Sequence, residues 1–350
     1  MKRVSLLAVL LAACSSDSSL TPPDGPVAQV DASSGAPPYD KLSTYGFFKG
    51  SGATQEPVSG VVPYTVNASL FSDFADKHRF IDLPKGGKIT YAADDKWAFP
   101  VGTMVIKSFG YGAKLVETRV LINQADGWLP TTYLWDDAQT EATLSLVGAV
   151  VPVTYTDDES QTGTLQYRVP NQNQCFGCHG QRGTSNIIGL RTRQLNRSFD
   201  YGAGPENQID HMASLGMFDS APPAAGERTA LPDPYADGPV EPRARAWLEA
   251  NCSHCHRPGG AAGPTNLYLF TTITNPIDFG VCRTPNAAGT GAGGFTFDVV
   301  PGDPAHSIMS FRISSTEAGI KMPEMPIQLV DHRGVDLIQK WIMGLSGSCS

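Results

Sequence analysis

The sequence is short of basic residues, with 26 lysines and arginines against 34 aspartates and glutamates and a net charge of −8. A protein that binds nucleic acid needs a basic surface to neutralise phosphates. The composition therefore excludes a nucleic-acid partner. Glycine (36) and proline (27) are abundant instead, which favours short strands, turns and ordered loops over a helical bundle.

The N-terminus has no apolar run that is long enough to span a bilayer. Residues 4–13 are apolar and follow a basic start, a pattern that predicts an export signal. The stretch LAAC, which ends at Cys14, resembles the lipobox of bacterial lipoproteins. That resemblance implies a signal peptide over residues 1–13, a lipid on Cys14 and a place at the periplasmic face of the outer membrane. An ordinary secretory signal, and a periplasmic protein, is the alternative. Residues 14–38 are rich in Ser, Pro, Asp and Gly and predict a flexible tether.

Cysteine is scarce, with seven in 350 residues, yet four of them form two Cys-x-x-Cys-His motifs. The residues are Cys175, Cys178 and His179 in the first motif, and Cys252, Cys255 and His256 in the second. This spacing lets two thiols add to the vinyl groups of one haem, while the histidine becomes the proximal ligand of its iron. The motifs therefore predict two covalently bound haem c groups. A four-thiolate zinc site and a thioredoxin-like dithiol are the rival interpretations.

Two cysteines remain once Cys14 and the two motifs are assigned. These are Cys282 and Cys349. Thiols of exported proteins tend to be oxidised, so we expect a disulfide between them, with two unpaired thiols as the alternative.

The sequence around the second motif resembles a small cytochrome c. Residues 242–251 predict a helix that leads into the motif, and the apolar spacing of residues 332–345 predicts a closing helix. The loop around Pro264 resembles the one whose proline carbonyl accepts a hydrogen bond from the proximal histidine, here His256.

A methionine before the closing helix is the candidate sixth ligand of the second haem. Met322 stands where small cytochromes c place this ligand, and Met325 is the alternative. Either one could instead fill the core.

The sixth ligand of the first haem is less clearly indicated. Met217 follows the end of a predicted helix and is the tentative candidate, with His211 and Met212 as alternatives and His78 as an outside one. An open position would change the function from electron carrier to catalyst.

Residues 39–170 contain β-branched and aromatic runs broken by Gly, Pro and Asp, which predict short antiparallel strands in a sandwich-like or partly open barrel. Polar residues in this region, including Lys77 and Arg79, are interpreted as a solvated or strand-pairing set. We expect a first haem segment over 171–235 and a second haem module over 236–350.

The order of NASLFSDFADKHRFIDLP, FPVGTMVIKSF, TTYLWDDAQTEA, NQCFGCH, NCSHCHRPGG and KMPEMP resembles exported bacterial dihaem c-type cytochromes with an N-terminal β-rich region. The resemblance covers nearly everything after about residue 39. It implies a multidomain fold, all-β and then mainly α-helical, that transfers electrons between redox partner proteins. The alternatives are a dihaem peroxidase-like enzyme and a dehydrogenase-associated oxidoreductase whose β-domain binds substrate.

Overall fold

The computed structural model describes residues 35–181, 183, 185–324 and 327–350. The expected signal peptide, the lipidated Cys14 and residues 14–34 of the expected tether lie outside these residues, and so does Met325.

Ten strands are described along the chain. They are β1 (Val61–Pro63), β2 (Asp76–Asp82), β3 (Met104–Tyr111), β4 (Lys114–Gln124), β5 (Gly127–Trp135), β6 (Ala142–Leu144), β7 (Ala149–Thr156), β8 (Thr162–Val169), β9 (Ser198–Asp200) and β10 (Pro205–Asn207). Strands β1 to β6 form one antiparallel sheet in chain order, and β7–β8 and β9–β10 form two further antiparallel pairs. The prediction of a β-rich N-terminal region is confirmed.

Both faces of the six-stranded sheet are apolar. Successive residues of a strand point to opposite faces, so Ile81 and Leu121 join the core on one face while Phe80 and Val120 join the core on the other. The segment before β1 covers the second face. The first face is covered by residues that follow the first motif in the chain.

The segment expected over residues 171–235 shares its core with the β-rich region. Ile187, Leu190, Ile209 and Phe218 share one core with the side chains of the sheet. This packing uses the apolar residues that a free-standing segment would have kept for a core of its own.

Six α-helices are described, and all of them come after β8 in the chain. They are α1 (Gln172–His179), α2 (Thr192–Leu195), α3 (Gln208–Ser214), α4 (Val240–Asn251), α5 (Ile308–Ile313) and α6 (His332–Gly344). Short 3-10 helices cover Leu42–Tyr45, Ala225–Glu227, Gly263–Thr265, Gly289–Ala292 and Pro304–His306. Long loops rich in glycine and proline connect α4 to α5, so the expectation of mainly helical modules is not supported.

Helices α4 and α6 pack together around a second core. Trp247 and Leu248 of α4 meet Ile338 and Ile342 of α6 there. Asp331 caps α6 by accepting a hydrogen bond from the Gly334 backbone (2.9 Å), and its carboxylate also accepts one from the Trp247 indole (2.7 Å). The cap thus fixes the start of α6 against α4. None of the described helices has the length and apolarity that crossing a membrane would require.

The expected disulfide is confirmed. Cys282 and Cys349 are bonded, with 67 residues of separation along the chain. The bond ties the segment after α6 to the loop between α4 and α5.

Replacing both of these cysteines with serine should lower the free energy of unfolding by about 2–4 kcal/mol, because a cross-link over a long loop restricts the unfolded chain. Chemical denaturation with and without a reductant measures the effect. Reduced unmodified protein should reach the midpoint of the double variant. An oxidised protein that unfolds at the same midpoint as the variant would contradict the prediction.

Candidate functional site

Helix α1 carries the whole first motif. Asn171 caps it, since its side chain accepts a hydrogen bond from the Gln174 backbone N–H and the Gln174 side chain accepts one from the Asn171 backbone N–H, each at 2.9 Å. This capping box begins the helix just before the motif. Cys175, Cys178 and His179 consequently lie on one short helix, as attachment of a haem requires.

A cavity of about 240 Å³ opens between α1, the sheet and the end of α4. Cys175, Cys178 and His179 line it from α1, and Val105 and Leu121 line it from the sheet. One water needs only about 10–15 Å³. The cavity is therefore large enough for a polyatomic group, and its walls are mainly apolar.

The imidazole of His179 is held in one orientation by a backbone carbonyl. Its Nδ1 lies 2.8 Å from the carbonyl oxygen of Asn186, to which it donates a hydrogen bond. Burial lowers the pKa of His179 to about 4. The ring is therefore neutral near pH 7 with Nε2 available, which is the form that binds a metal ion.

The second motif follows α4 directly. Helix α4 ends at Asn251, and the chain continues as a turn in which the backbone N–H groups of Cys255 and His256 bond the Cys252 carbonyl at 3.1 and 2.9 Å. The expected entry helix is confirmed, although it begins at Val240, two residues before Pro242. All three residues of the motif lie within one turn of each other.

The expected contact between Pro264 and His256 is wrong. The Pro264 carbonyl accepts a hydrogen bond from the Asn286 side chain (3.2 Å), while the buried Nδ1 of His256 has no well-formed hydrogen bond. Burial lowers the pKa of His256, and the nearby Leu267 carbonyl partly offsets this. The 3-10 turn at Gly263–Thr265 directs the proline carbonyl elsewhere.

Met322 lies near the second motif. It packs, half-buried, against the same core as Cys252 and Trp247. It also lines a smaller cavity with Trp247 and Asn251, next to the larger one. The structure therefore brings this predicted ligand and the second motif to one core.

The candidates for the first iron are not brought to the cavity. Met217 and Met212 are buried in the core on the sheet, and His211 stacks on Tyr201 and pairs with Glu206 (2.5 Å). His78 lies on β2 opposite Ser108. None of these four lines the cavity at α1. The apolar packing of Met217 against the sheet explains the difference.

The two motifs meet at a junction formed by Cys178, His254 and Cys255. One ligand atom from each of these residues lies within 4.8 Å of the other two. The Cys178 thiol donates a hydrogen bond that holds the pKa of Cys255 below its ordinary value. The Nδ1 of His254 is buried without a partner. The sequence does not predict this junction, because it depends on contacts between distant segments.

The rival four-thiolate zinc site is not assembled among the described residues. Only Cys178 and Cys255 of the four motif cysteines belong to the cluster, and Cys175 and Cys252 stay outside it. A cluster of two thiols and one imidazole could hold a soft metal ion such as zinc in a haem-free chain.

The sheet adds three cations that the sequence interpretation missed. Arg79, Lys107 and Arg119 line the cavity, and Arg79 is only 9% exposed. Of the two expectations for Arg79, the strand-pairing one is confirmed, since it lies opposite Lys107 on β3, and the solvated one is wrong. The sequence pattern that could have revealed these residues is one cation in each of three successive apolar strands, on the same face as the apolar residues two positions away.

The comparisons with protein-family models, curated proteins and solved structures find no match for this chain. The cavity brings together the thiols of Cys175 and Cys178, the imidazole of His179 and the cations of the sheet, whereas Cys252, Cys255 and His256 of the second motif do not line it.

Proposed function

We propose that the chain is a dihaem c-type cytochrome that transfers electrons. The observation that carries the proposal is the junction, where Cys178 and Cys255, the second cysteine of each motif, lie within 4.8 Å of each other. Two haem groups attached there are close enough to exchange an electron within one chain. This is the arrangement that a relay between redox partners needs.

The residues around α1 support a first haem. Cys175 and Cys178 would hold it covalently, and His179, oriented by the Asn186 carbonyl, would be the proximal ligand. Apolar side chains of the lining, such as Val105 and Leu121, would lie against the ring, and apolar surroundings favour the less charged, reduced iron.

The residues around α4 support a second haem. Cys252 and Cys255 would hold it, His256 would be the proximal ligand, and Met322 is the candidate on the other side. A bound haem supplies the one-electron iron couple, and the protein sets its potential through ligands, burial and nearby charge.

Export, the lipid on Cys14 and outer-membrane attachment remain part of the proposal on sequence grounds alone. So does the family resemblance. A membrane-anchored relay would meet its electron donor and acceptor, which are redox partner proteins, near one leaflet. A diacylated cysteine anchors a protein firmly where one acyl chain does not.

The direct test is haem quantification. Purified protein from a host that attaches haem c should give two covalent haems per chain by the pyridine haemochromogen assay, and the haem should stay with the denatured chain. Fewer than two covalent haems on intact protein would refute the dihaem assignment. A metal assay on the same sample would reveal zinc in place of iron.

Replacing Met322 with alanine should remove the weak far-red absorption band of methionine-ligated ferric haem and lower the potential of one haem, because a thioether ligand favours the reduced iron. Met309→Ala is the matched control, since Met309 is a buried methionine of the same core and should leave the band intact. A band that survives Met322→Ala would assign the ligand to another residue.

A dihaem peroxidase-like enzyme is the second candidate. The observation that favours it is the absence of methionine among the described residues that line the cavity at α1, where His179 and His254 are the only histidines. An iron with an open sixth position there could react with peroxide. A high-spin ferric spectrum that changes on adding hydrogen peroxide would favour this candidate over a pure electron carrier.

A further inference from the structure

Three cations stand in a row across the sheet. Arg79 on β2 lies directly opposite Lys107 on β3, and Lys107 lies directly opposite Arg119 on β4. All three face the cavity beside α1. Like charges directly opposite each other on neighbouring strands destabilise a sheet, so the row needs a compensating anion.

The chain supplies only part of that compensation. Glu117 is fully buried and pairs with Arg119 through both carboxylate oxygens, at 2.8 and 2.5 Å. Arg79 bonds the Ser69 hydroxyl (3.0 Å), and the Lys107 ammonium stands over the Phe109 ring. Neither Arg79 nor Lys107 forms an ion pair with any carboxylate of the described residues. Two basic side chains, the buried Arg79 and the half-buried Lys107, are thus left without an anionic partner among the described residues.

The three cations of the row lie at increasing distances from the first motif. Helix α1 is fixed to β5, since the Gln172 side chain donates a hydrogen bond to the Pro130 carbonyl (3.0 Å). Neighbouring strands are about 4.8 Å apart, so Arg119 is one strand from this anchor, Lys107 is two and Arg79 is three. A haem held through its vinyl groups carries its two carboxylates on the opposite edge of the ring. That edge would meet Lys107 and Arg79.

We propose that Lys107 and Arg79 bind the two carboxylates of the haem that is attached to α1. The inference rests on the proposed function and gives the β-rich region a role in it: the sheet provides the anion-binding wall of the first haem site. Two carboxylates match in number the two cations of the row that have no ion pair. The first haem would then have its carboxylates buried against the sheet and its thioether edge at the junction.

The sequence offers a clean way to test this. Residues 160–199 contain no aspartate or glutamate, so a label added before digestion to a peptide within this stretch can only be on a haem carboxylate. Native holoprotein is treated with a carbodiimide and glycinamide and then digested with pepsin. The mass of the haem peptide that contains Cys175 and Cys178 is measured by mass spectrometry. Protein labelled in denaturant gives the fully modified reference mass, with two labels.

The native protein with the wild-type sequence should keep both haem carboxylates unlabelled. The Arg79→Gln, Lys107→Gln double variant should label them roughly tenfold faster, because charge-assisted hydrogen bonds are lost. Arg168→Gln is the matched control. It removes an exposed cation that lines the same cavity and should preserve the protection.

Two results would overturn the proposal: rapid labelling of the native unmodified protein, and continued protection in the double variant. If the double variant fails to fold, the Lys107→Gln single variant and the charge-preserving Arg79→Lys variant make the same comparison, with exposure expected in the first and protection in the second. A peptide with no haem would refute the proposed function itself, which the mass shows directly.

Discussion

A chain in which Cys252 and Cys255 are both alanine is expected to carry one covalent haem instead of two. The reciprocal Cys175→Ala, Cys178→Ala variant should also carry one, since each motif holds its own group. The pyridine haemochromogen assay on purified protein, normalised to chain concentration, gives the count. Mass spectrometry then identifies which motif still bears haem.

The Cys282→Ala, Cys349→Ala variant is the matched control, because it also removes two cysteines. It should keep both haems and lose only the contribution of the disulfide to stability. Equal haem loss in all three double variants would mean that cysteine removal acts through misfolding. Two haems retained after loss of either motif would refute covalent attachment at these sites.

Replacing Glu249 with alanine should lower the free energy of unfolding by about 3–5 kcal/mol, because it leaves the buried Arg193 without its anionic partner. Glu249 on α4 and Arg193 on α2 form an ion pair of 2.6 Å, with side chains only 4% and 6% exposed. The second carboxylate oxygen of Glu249 accepts hydrogen bonds from the Thr271 backbone and hydroxyl at 2.9 and 2.7 Å. The pair thus connects the segment after the first motif to the helix before the second.

Glu241→Ala is the control on the same helix. Glu241 pairs with Arg245 at 3.2 Å, but its side chain is 60% exposed, so we expect a loss below about 1 kcal/mol. Denaturant unfolding of both variants, followed by far-ultraviolet circular dichroism, measures the difference. Equal losses of unfolding free energy in the two variants would show that the buried Glu249–Arg193 pair stabilises the fold no more than an exposed pair does. A Glu249→Leu, Arg193→Met double variant should recover part of the loss.

The sequence predicted those features that depend on local spacing. The two motifs, the helices before and after the second motif, the strands and the disulfide all follow from periodicity or from cysteine counting. Helix α1 also has a local signal, because the two residues of its capping box, Asn171 and Gln174, are three positions apart. These features are encoded in short stretches, so a single sequence is enough to find them.

Features that depend on distant contacts were missed. The junction brings Cys178 together with Cys255, and the cation row needs the strand register that aligns Arg79 with Lys107. Met217 satisfies a local pattern for a ligand, yet the apolar face of the sheet takes it into the core. The Pro264 carbonyl turns away because a 3-10 helix sets its direction.

The junction also constrains how the protein is made. Cys178 and Cys255 face each other between α1 and the turn after α4, and Cys252 packs into the core beside them. An enzyme that attaches haem needs access to both sulfur atoms of a motif. On the proposed function, both motifs must therefore be loaded while α1 and α4 are still apart, and docking of the sheet, α1 and α4 is the last step of maturation.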